Sequence, residues 1–168
     1  MQRILIVGSP GAGKSSFARR LAEITGLPLY HIDNLYWNEN REHISRPELV
    51  ERLNPILNSE KWIIDGNYSA TFSYRIDFAT AVILLDIDFD TCREGIAARV
   101  GVARTDIPFV EAEVPADLIE VAQRFETQTL PKMLKIINDH PRVKFIHLHS
   151  RENANNYLQN LKRRIKNG

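Results

Sequence analysis

The stretch IVGSPGAGKSS, Ile6–Ser16, decides how this chain is read. After Val7 it holds no large side chain, so it is a poor core builder, yet it ends the apolar run RILIV, Arg3–Val7. A continuous β-branched and leucine run of this kind marks a strand buried on both faces of a parallel sheet. Lys14–Thr25 then carries Phe17, Leu21 and Ile24 at helical spacing, with Gly26 as a C-terminal stop. Gly8, Gly13, Lys14 and Ser15 therefore satisfy G-x-x-x-x-G-K-[ST] between a strand and a helix, the context the phosphate-binding P-loop requires. Glycines let backbone N–H groups approach phosphate oxygens, and the helix start points its positive dipole end at them. Lys14 is expected to neutralise phosphate charge and the Ser15 hydroxyl to ligate Mg²⁺. Gly8, Ser9, Pro10, Gly11, Ala12, Gly13, Lys14, Ser15 and Ser16 form the expected cradle. A dinucleotide site is the competing reading, because Asp33 lies about 20 residues past the glycines. The glycines fall as G-x-x-G-x-G with Lys-Ser next, and the nucleoside triphosphate reading is preferred.

The 168 residues suit one domain, read over 1–168, with a single core and a small mobile insert. A composition of 43% hydrophobic and 26% charged residues is that of an ordinary globular protein. Net charge is only +1, which argues against a large nucleic-acid footprint. The lone cysteine, Cys92, excludes an internal disulfide framework, and no apolar run approaches the ~20 residues that span a bilayer. A cytoplasmic enzyme with no membrane partner is expected.

Further strands are read at LPLYHID (Leu27–Asp33), WIID (Trp62–Asp65), TAVILLD (Thr80–Asp86) and VKFIHLH (Val143–His149). Between them, Ser45 and Glu48 have capping-box spacing ahead of a helix burying Leu49, Leu53 and Leu57, with Pro55 expected to kink or end it. A helix through Cys92, Ile96 and Val100 breaks at Gly101–Pro115. Leu118, Val121, Phe125, Leu130 and Leu134 mark more helix with a break at Pro131, and Tyr157, Leu158, Leu161 and Ile165 mark the last one. This order predicts a three-layer α/β fold around a parallel five-stranded sheet.

With the P-loop, YHIDNLYW, WIIDGNY and AVILLDID in place, the chain resembles the P-loop nucleoside and nucleotide kinase-like group. Within it, the chain looks most like the adenylate-kinase-related FlaR, or DNA topology modulation, proteins. The shared features include H-x-D-x-x-x-W (His31, Asp33, Trp37), W-I-I-D-G (Trp62–Gly66), R-x-D-x-P (Arg104, Asp106, Pro108) and LHSRE before the last helix. The resemblance implies a sheet order of 2-3-1-4-5, a lid at approximately 99–116, and ATP with Mg²⁺ as donor. It leaves the acceptor and the oligomeric state open.

Asp33 is expected to hold the acceptor hydroxyl as a base, with a turn or helix cap as the alternative. His31, two residues earlier on the same strand, either joins it, hydrogen-bonds it or packs. Asp65 is chosen over Asp86 as the Mg²⁺-side carboxylate beside Ser15, with Gly66 letting substrate approach the backbone. Asp86 is assigned to structure, with Asp88 or Asp90 capping the next helix. Arg99 and Arg104 border the lid and are expected to offset charge on the transferring phosphoryl group. Arg75 is placed on the acceptor's phosphate, and Arg93 shares a face with Arg104 if its helix persists. Tyr36, Trp37 and Tyr68 either stack on an acceptor base or pack under a mobile loop. His147 and His149 alternate on the last strand as an H-x-H pair, with no third ligand nearby in sequence beyond the remote His140. Cys92 is read as core, Ser150 as a cap or as part of an adenine-side segment, and LKRRIKN (Leu161–Asn167) as a solvated helix end. The leading expectation is a Mg²⁺-ATP-dependent kinase of a small nucleoside- or nucleotide-like acceptor, with Lys14, Asp33, Arg99 and Arg104 as the catalytic set. The second is a nucleotide-dependent regulator or NTPase acting on nucleic acid, and the third a P-loop binding module with no acceptor.

Overall fold

A computed structural model describes all 168 residues. The chain runs β1 (Arg3–Gly8), α1 (Lys14–Thr25), β2 (Leu29–His31), α2 (Ile32–Tyr36), α3 (Arg46–Leu57), β3 (Trp62–Asp65), α4 (Ser69–Ile76) and β4 (Ala81–Leu85). There follow α5 (Phe89–Ala97), α6 (Ala116–Arg124), a π-helical turn (Phe125–Thr129), α7 (Leu130–Asn138), β5 (Lys144–Leu148) and α8 (Arg151–Asn167). All strand pairs are parallel and the sheet order is β2-β3-β1-β4-β5, as expected.

The period-2 alternation of strand side chains divides the core in two. Leu5, Val7, Ile64, Val82 and Leu84 face a layer containing Leu49, Leu53 and Leu57 of α3, Phe72 of α4 and Met133 of α7. Ile4, Ile6, Ile63 and Ile83 face the other layer, with Phe17 and Leu21 of α1, Cys92 of α5 and Leu158 of α8. Ile4 to Val7 are all 0% exposed, so β1 is covered on both faces. Each such side chain contributes roughly 1.5–3 kcal/mol by burial, which makes the central strand a rigid base for the loop at its end.

The local signals act as read, with three differences. Ser45 and Glu48 form the reciprocal capping box, Asp88 caps α5 through the Thr91 N–H, and Ser150 caps α8 through the Asn153 N–H. Pro55 stands inside α3 without breaking it, and the helix ends two residues on at Leu57. Pro131 breaks nothing either. It occupies the first turn of α7, and the π turn immediately before it absorbs the lost backbone donor. The second strand is shorter than expected: it stops at His31, and Asp33 lies in the first turn of α2.

Candidate functional site

β1 delivers the P-loop to the carboxyl edge of the sheet, where ligands gather in open α/β folds. Gly11 and Gly13 have φ of 79° and 87°, a left-handed backbone that side chains disfavour. At Gly11 there is also no room: a Cβ would stand 2.0 Å from the Cys92 carbonyl oxygen of α5. Gly95 answers from the opposite side, where a Cβ would lie 2.3 Å from the Gly11 carbonyl oxygen. The loop and α5 thus meet backbone to backbone. Ser9 is buried, Ser16 is exposed on the first turn of α1, and Pro10, Lys14 and Ser15 face a cavity of about 890 Å³.

The Lys14 ammonium donates to the carbonyls of Gly8 (3.0 Å) and Ser9 (2.8 Å), curled back into its own loop. Burial, then the neighbouring Arg99 charge, lowers its pKa to about 8, against the opposing pull of Asp65 and Asp33. Asn67 staples the loop to the end of β3: its side-chain oxygen accepts from the Gly8 N–H at 2.9 Å and its amide donates to the Gly8 carbonyl at 2.5 Å. Asn67 carries no local signal in the sequence, because only folding brings it to Gly8, 59 positions away.

Asp33 faces the same cavity from α2. The Tyr68 hydroxyl donates to its carboxylate at 2.5 Å. Burial raises the Asp33 pKa, with Asp65 and Asp106 pushing the same way while the Tyr68 bond and Lys14 resist. Tyr68 holds a left-handed backbone (φ 36°, ψ 67°), unusual for a bulky residue, and so aims its ring back at Asp33. Gly66 and Trp37 also line the cavity. His31 does not hydrogen-bond Asp33: with the strand ending at His31, its Nδ1 instead meets the Asp65 carboxylate at 2.7 Å, in register across β2 and β3. Asp65 is 4% exposed and faces the cavity together with Ser15.

Arg75 corrects the expectation placed on it. It is 0% exposed, does not line the cavity, and directs its guanidinium to the backbone carbonyls of Gly66 (3.0 Å) and Asn67 and to the Thr71 hydroxyl (3.1 Å). Burial lowers its pKa to about 9. It braces the Gly66–Tyr68 loop from behind, with no donor directed at the cavity. Arg93 likewise stays outside, exposed and paired with Asp90 at 3.4 Å, because α5 ends at Ala97 and the helical face it shared with Arg104 does not persist.

Residues 98–115 form turns and bends that lie over the cavity. Three contacts seat them: the Asn34 amide donates to the Thr105 carbonyl (2.7 Å), Arg41 donates to the Val110 carbonyl (2.7 Å), and Trp37 meets Phe109 edge-on. Arg99 and Arg104 both point into the cavity. Burial first, and then the charge of Arg104, lowers the Arg99 pKa. Asp106, quoted above only as part of R-x-D-x-P, is 3% exposed and accepts from the Ser15 hydroxyl at 2.9 Å. Burial opposes its charge, yet Arg104 and the Ser15 bond hold its carboxyl below the ordinary range. Tyr36, Trp37 and Tyr68 form one aromatic cluster with His43, the packing arrangement of the two anticipated for them.

The sheet order, the glycine-lined loop at the end of β1 and the lysine within it define a three-layer P-loop α/β fold. Solved structures of this fold match across nearly the whole chain. A shikimate kinase from Bacteroides thetaiotaomicron superposes with a TM-score of 0.60 at 14% identity, covering 98% of both chains. A gluconokinase from Sinorhizobium meliloti 1021 gives 0.57 at 14% identity, covering 98% of this chain and 95% of its own. Shikimate kinase from Acinetobacter baumannii, in complex with shikimate, gives 0.57 at 14%, covering 99% and 94%. No family model and no curated protein matches the sequence. At this identity the likeness establishes the fold. No helix is long and apolar enough to cross a membrane.

Proposed function

We propose that this chain is a Mg²⁺-ATP-dependent phosphotransferase acting on a small hydroxyl- or phosphate-bearing acceptor of nucleoside- or nucleotide-like size. The observation that carries it is that Lys14 of the P-loop and Asp33, a carboxyl with a raised pKa, open into one cavity beneath Arg99 and Arg104. The residues fit the donor. At Gly8 and Gly11 the loop has no room for a Cβ, Gly13 holds a left-handed φ of 87°, and the Ser15 hydroxyl with the Asp65 and Asp106 carboxylates offers the hard oxygen set that Mg²⁺ takes. Bound there, Mg²⁺-ATP supplies the transferable phosphoryl group.

The chain's own residues do the rest. Lys14 leaves its loop carbonyls for phosphate oxygens, a charge-assisted exchange that favours the bound state. Asp33 accepts the proton of the acceptor hydroxyl as the oxygen attacks, and Tyr68 fixes the carboxylate's orientation. Arg99 and Arg104 offset charge on the transferring group's oxygens. Segment 98–115 acts as the lid, and Trp37 and Phe109 at its edge give the acceptor an aromatic wall. The solved relatives named shikimate kinase and gluconokinase support the reaction class, and the motif likeness to FlaR proteins supports a place among nucleotide kinase relatives.

The test is ADP formation with Mg²⁺ and ATP against nucleosides, nucleoside monophosphates and polyhydroxy acids, with Lys14→Ala as blank. One acceptor that accelerates turnover and gains phosphate supports the reading. Slow hydrolysis indifferent to every acceptor refutes it.

A further inference from the structure

Outside the P-loop cavity, three side chains gather at the carboxyl ends of β4 and β5. Asp86 directly follows β4, and its backbone N–H donates to the Leu148 carbonyl at 2.8 Å, which pins it to the neighbouring strand. His147 lies in β5 opposite Leu84, and His149 directly follows the strand two residues on, so the extended chain brings both rings out on the side of Leu84 and Asp86. The His147 Nε2 lies 2.8 Å from the Asp86 Oδ2, and the His149 Nδ1 lies 3.7 Å from the same oxygen. One ligand atom from each residue falls within 4.8 Å of the others, and the two ring centres are 3.9 Å apart.

We propose that Asp86, His147 and His149 form a divalent transition-metal site, of which Zn²⁺ is the type ion. Four arguments converge. Tetrahedral zinc with ligands at about 2.0–2.1 Å sets ligand atoms about 3.3 Å apart, and the observed 2.8 and 3.7 Å bracket that value. The ligands stand at the ends of two hydrogen-bonded parallel strands, His147 within β5 and Asp86 and His149 one residue past β4 and β5, with the Asp86 N–H bonded to the Leu148 carbonyl. Two imidazoles and one carboxylate suit zinc-like ions, whereas Mg²⁺ takes oxygen ligands. Finally, both imidazoles converge on one carboxylate oxygen, His147 within hydrogen-bond range and His149 at ion-pair range. His149 makes no side-chain hydrogen bond yet stands against the other ring, an arrangement that a shared cation explains. The third ligand that the H-x-H pair lacks in sequence is thus supplied by β4, 61 positions from His147.

The His149 side chain is 63% exposed and the other two about a quarter, so an ion can enter from solvent. Three protein ligands leave a further position for water. Asp86 precedes Asp88, the cap of α5, so the ion would tie edge strand β5 to the root of the helix that packs on the P-loop.

Untagged, chelator-treated, nucleotide-free protein would be titrated with Co²⁺, reading visible d–d absorption, and with Zn²⁺ by calorimetry in excess Mg²⁺. One equivalent should bind with a low-symmetry cobalt spectrum. Asp86→Asn and His149→Ala should each weaken binding at least about tenfold, the loss that even outer partners of metal ligands carry. His149 is exposed, and circular dichroism of His149→Ala should match the unaltered chain. No stoichiometric binding, or unchanged affinity in either variant, overturns the site.

Discussion

The Asp106 carboxylate accepts a hydrogen bond from the Ser15 hydroxyl at 2.9 Å, joining residues 91 positions apart. Arg104 lies 3.7 Å from the same carboxylate and Arg19 3.9 Å. This contact is where the segment over the cavity reaches the first turn of α1. It also occupies the hydroxyl that a P-loop offers to a metal ion, so closure of the segment and metal binding draw on the same atom. Asp106→Ala should therefore loosen residues 98–115 without touching the sheet. Amide exchange is the readout: protection should fall in 98–115 and stay unchanged in β1 and β4. Equal protection in both forms would show that Trp37, Arg41 and Asn34 hold the segment unaided.

Arg75 is a structural brace, and its replacement should read out as stability. Arg75→Met leaves the part-buried Gly66 and Asn67 carbonyls with one donor fewer each. Losing a buried charged donor costs about 3 kcal/mol or more. Urea denaturation should show that loss, and Arg75→Lys, with a single ammonium in place of a fork, should recover little of it. A variant as stable as the parent but with weakened acceptor binding would return Arg75 to the substrate.

The pH profile of kcat/KM should be bell-shaped. Lys14 must keep its proton to meet phosphate, and its pKa is lowered to about 8, so activity should fall as pH rises through that value. Asp33 must lose its proton to act as a base. Its raised pKa places the acid limb above the ordinary carboxylate range, with activity lost as pH falls through it. Tyr68→Phe removes a hydrogen bond that favours the charged carboxylate, so the acid limb should move to higher pH. An acid limb that does not move would remove Tyr68 from the site's chemistry.

Gly95→Ala should impair nucleotide binding although Gly95 lies outside the P-loop pattern. Its Cβ would meet the Gly11 carbonyl at 2.3 Å, a backbone atom that cannot step aside cheaply. The loop or α5 must shift, at about 1–3 kcal/mol for overpacking of this kind. Nucleotide affinity by calorimetry should fall, and Gly26→Ala, whose added atom meets nothing within 4 Å but whose φ of 71° strains the end of α1, serves as the comparison for destabilisation away from the loop.

These residues show where sequence reasoning reaches. The P-loop, the strands and the caps at Ser45, Asp88 and Ser150 are legible because their signals are local: periodicity, glycine spacing and a polar residue before a helix. The sheet order follows from the family likeness. Asp33 and Lys14 are likewise readable, each from its own motif. Asp106 on Ser15, Asn67 on Gly8 and Asp86 beside His147 depend on strand order and loop return, across separations of 59 to 91 positions. Arg75 misleads for a different reason. An arginine after a substrate loop reads as a phosphate ligand, and only burial reveals that its partners are the loop's own carbonyls. β2 ends early because α2 begins at Ile32, which turns Asp33 into the cavity by a helical route.

The π turn at Phe125–Thr129 inserts one residue into the winding between α6 and α7. Leu118 and Val121 form cavity wall ahead of that insertion and Met133 and Ile137 fill the core beyond it, while Phe125, within the turn, touches both. The two stretches therefore keep separate rotational phases along one continuous rod. The wall of the cavity can be redrawn at Leu118 and Val121 without re-registering the helix that seals the hydrophobic layer. In the phosphotransferase proposed here, the wall that meets the acceptor could thus vary while the buried layer behind it stays as it is.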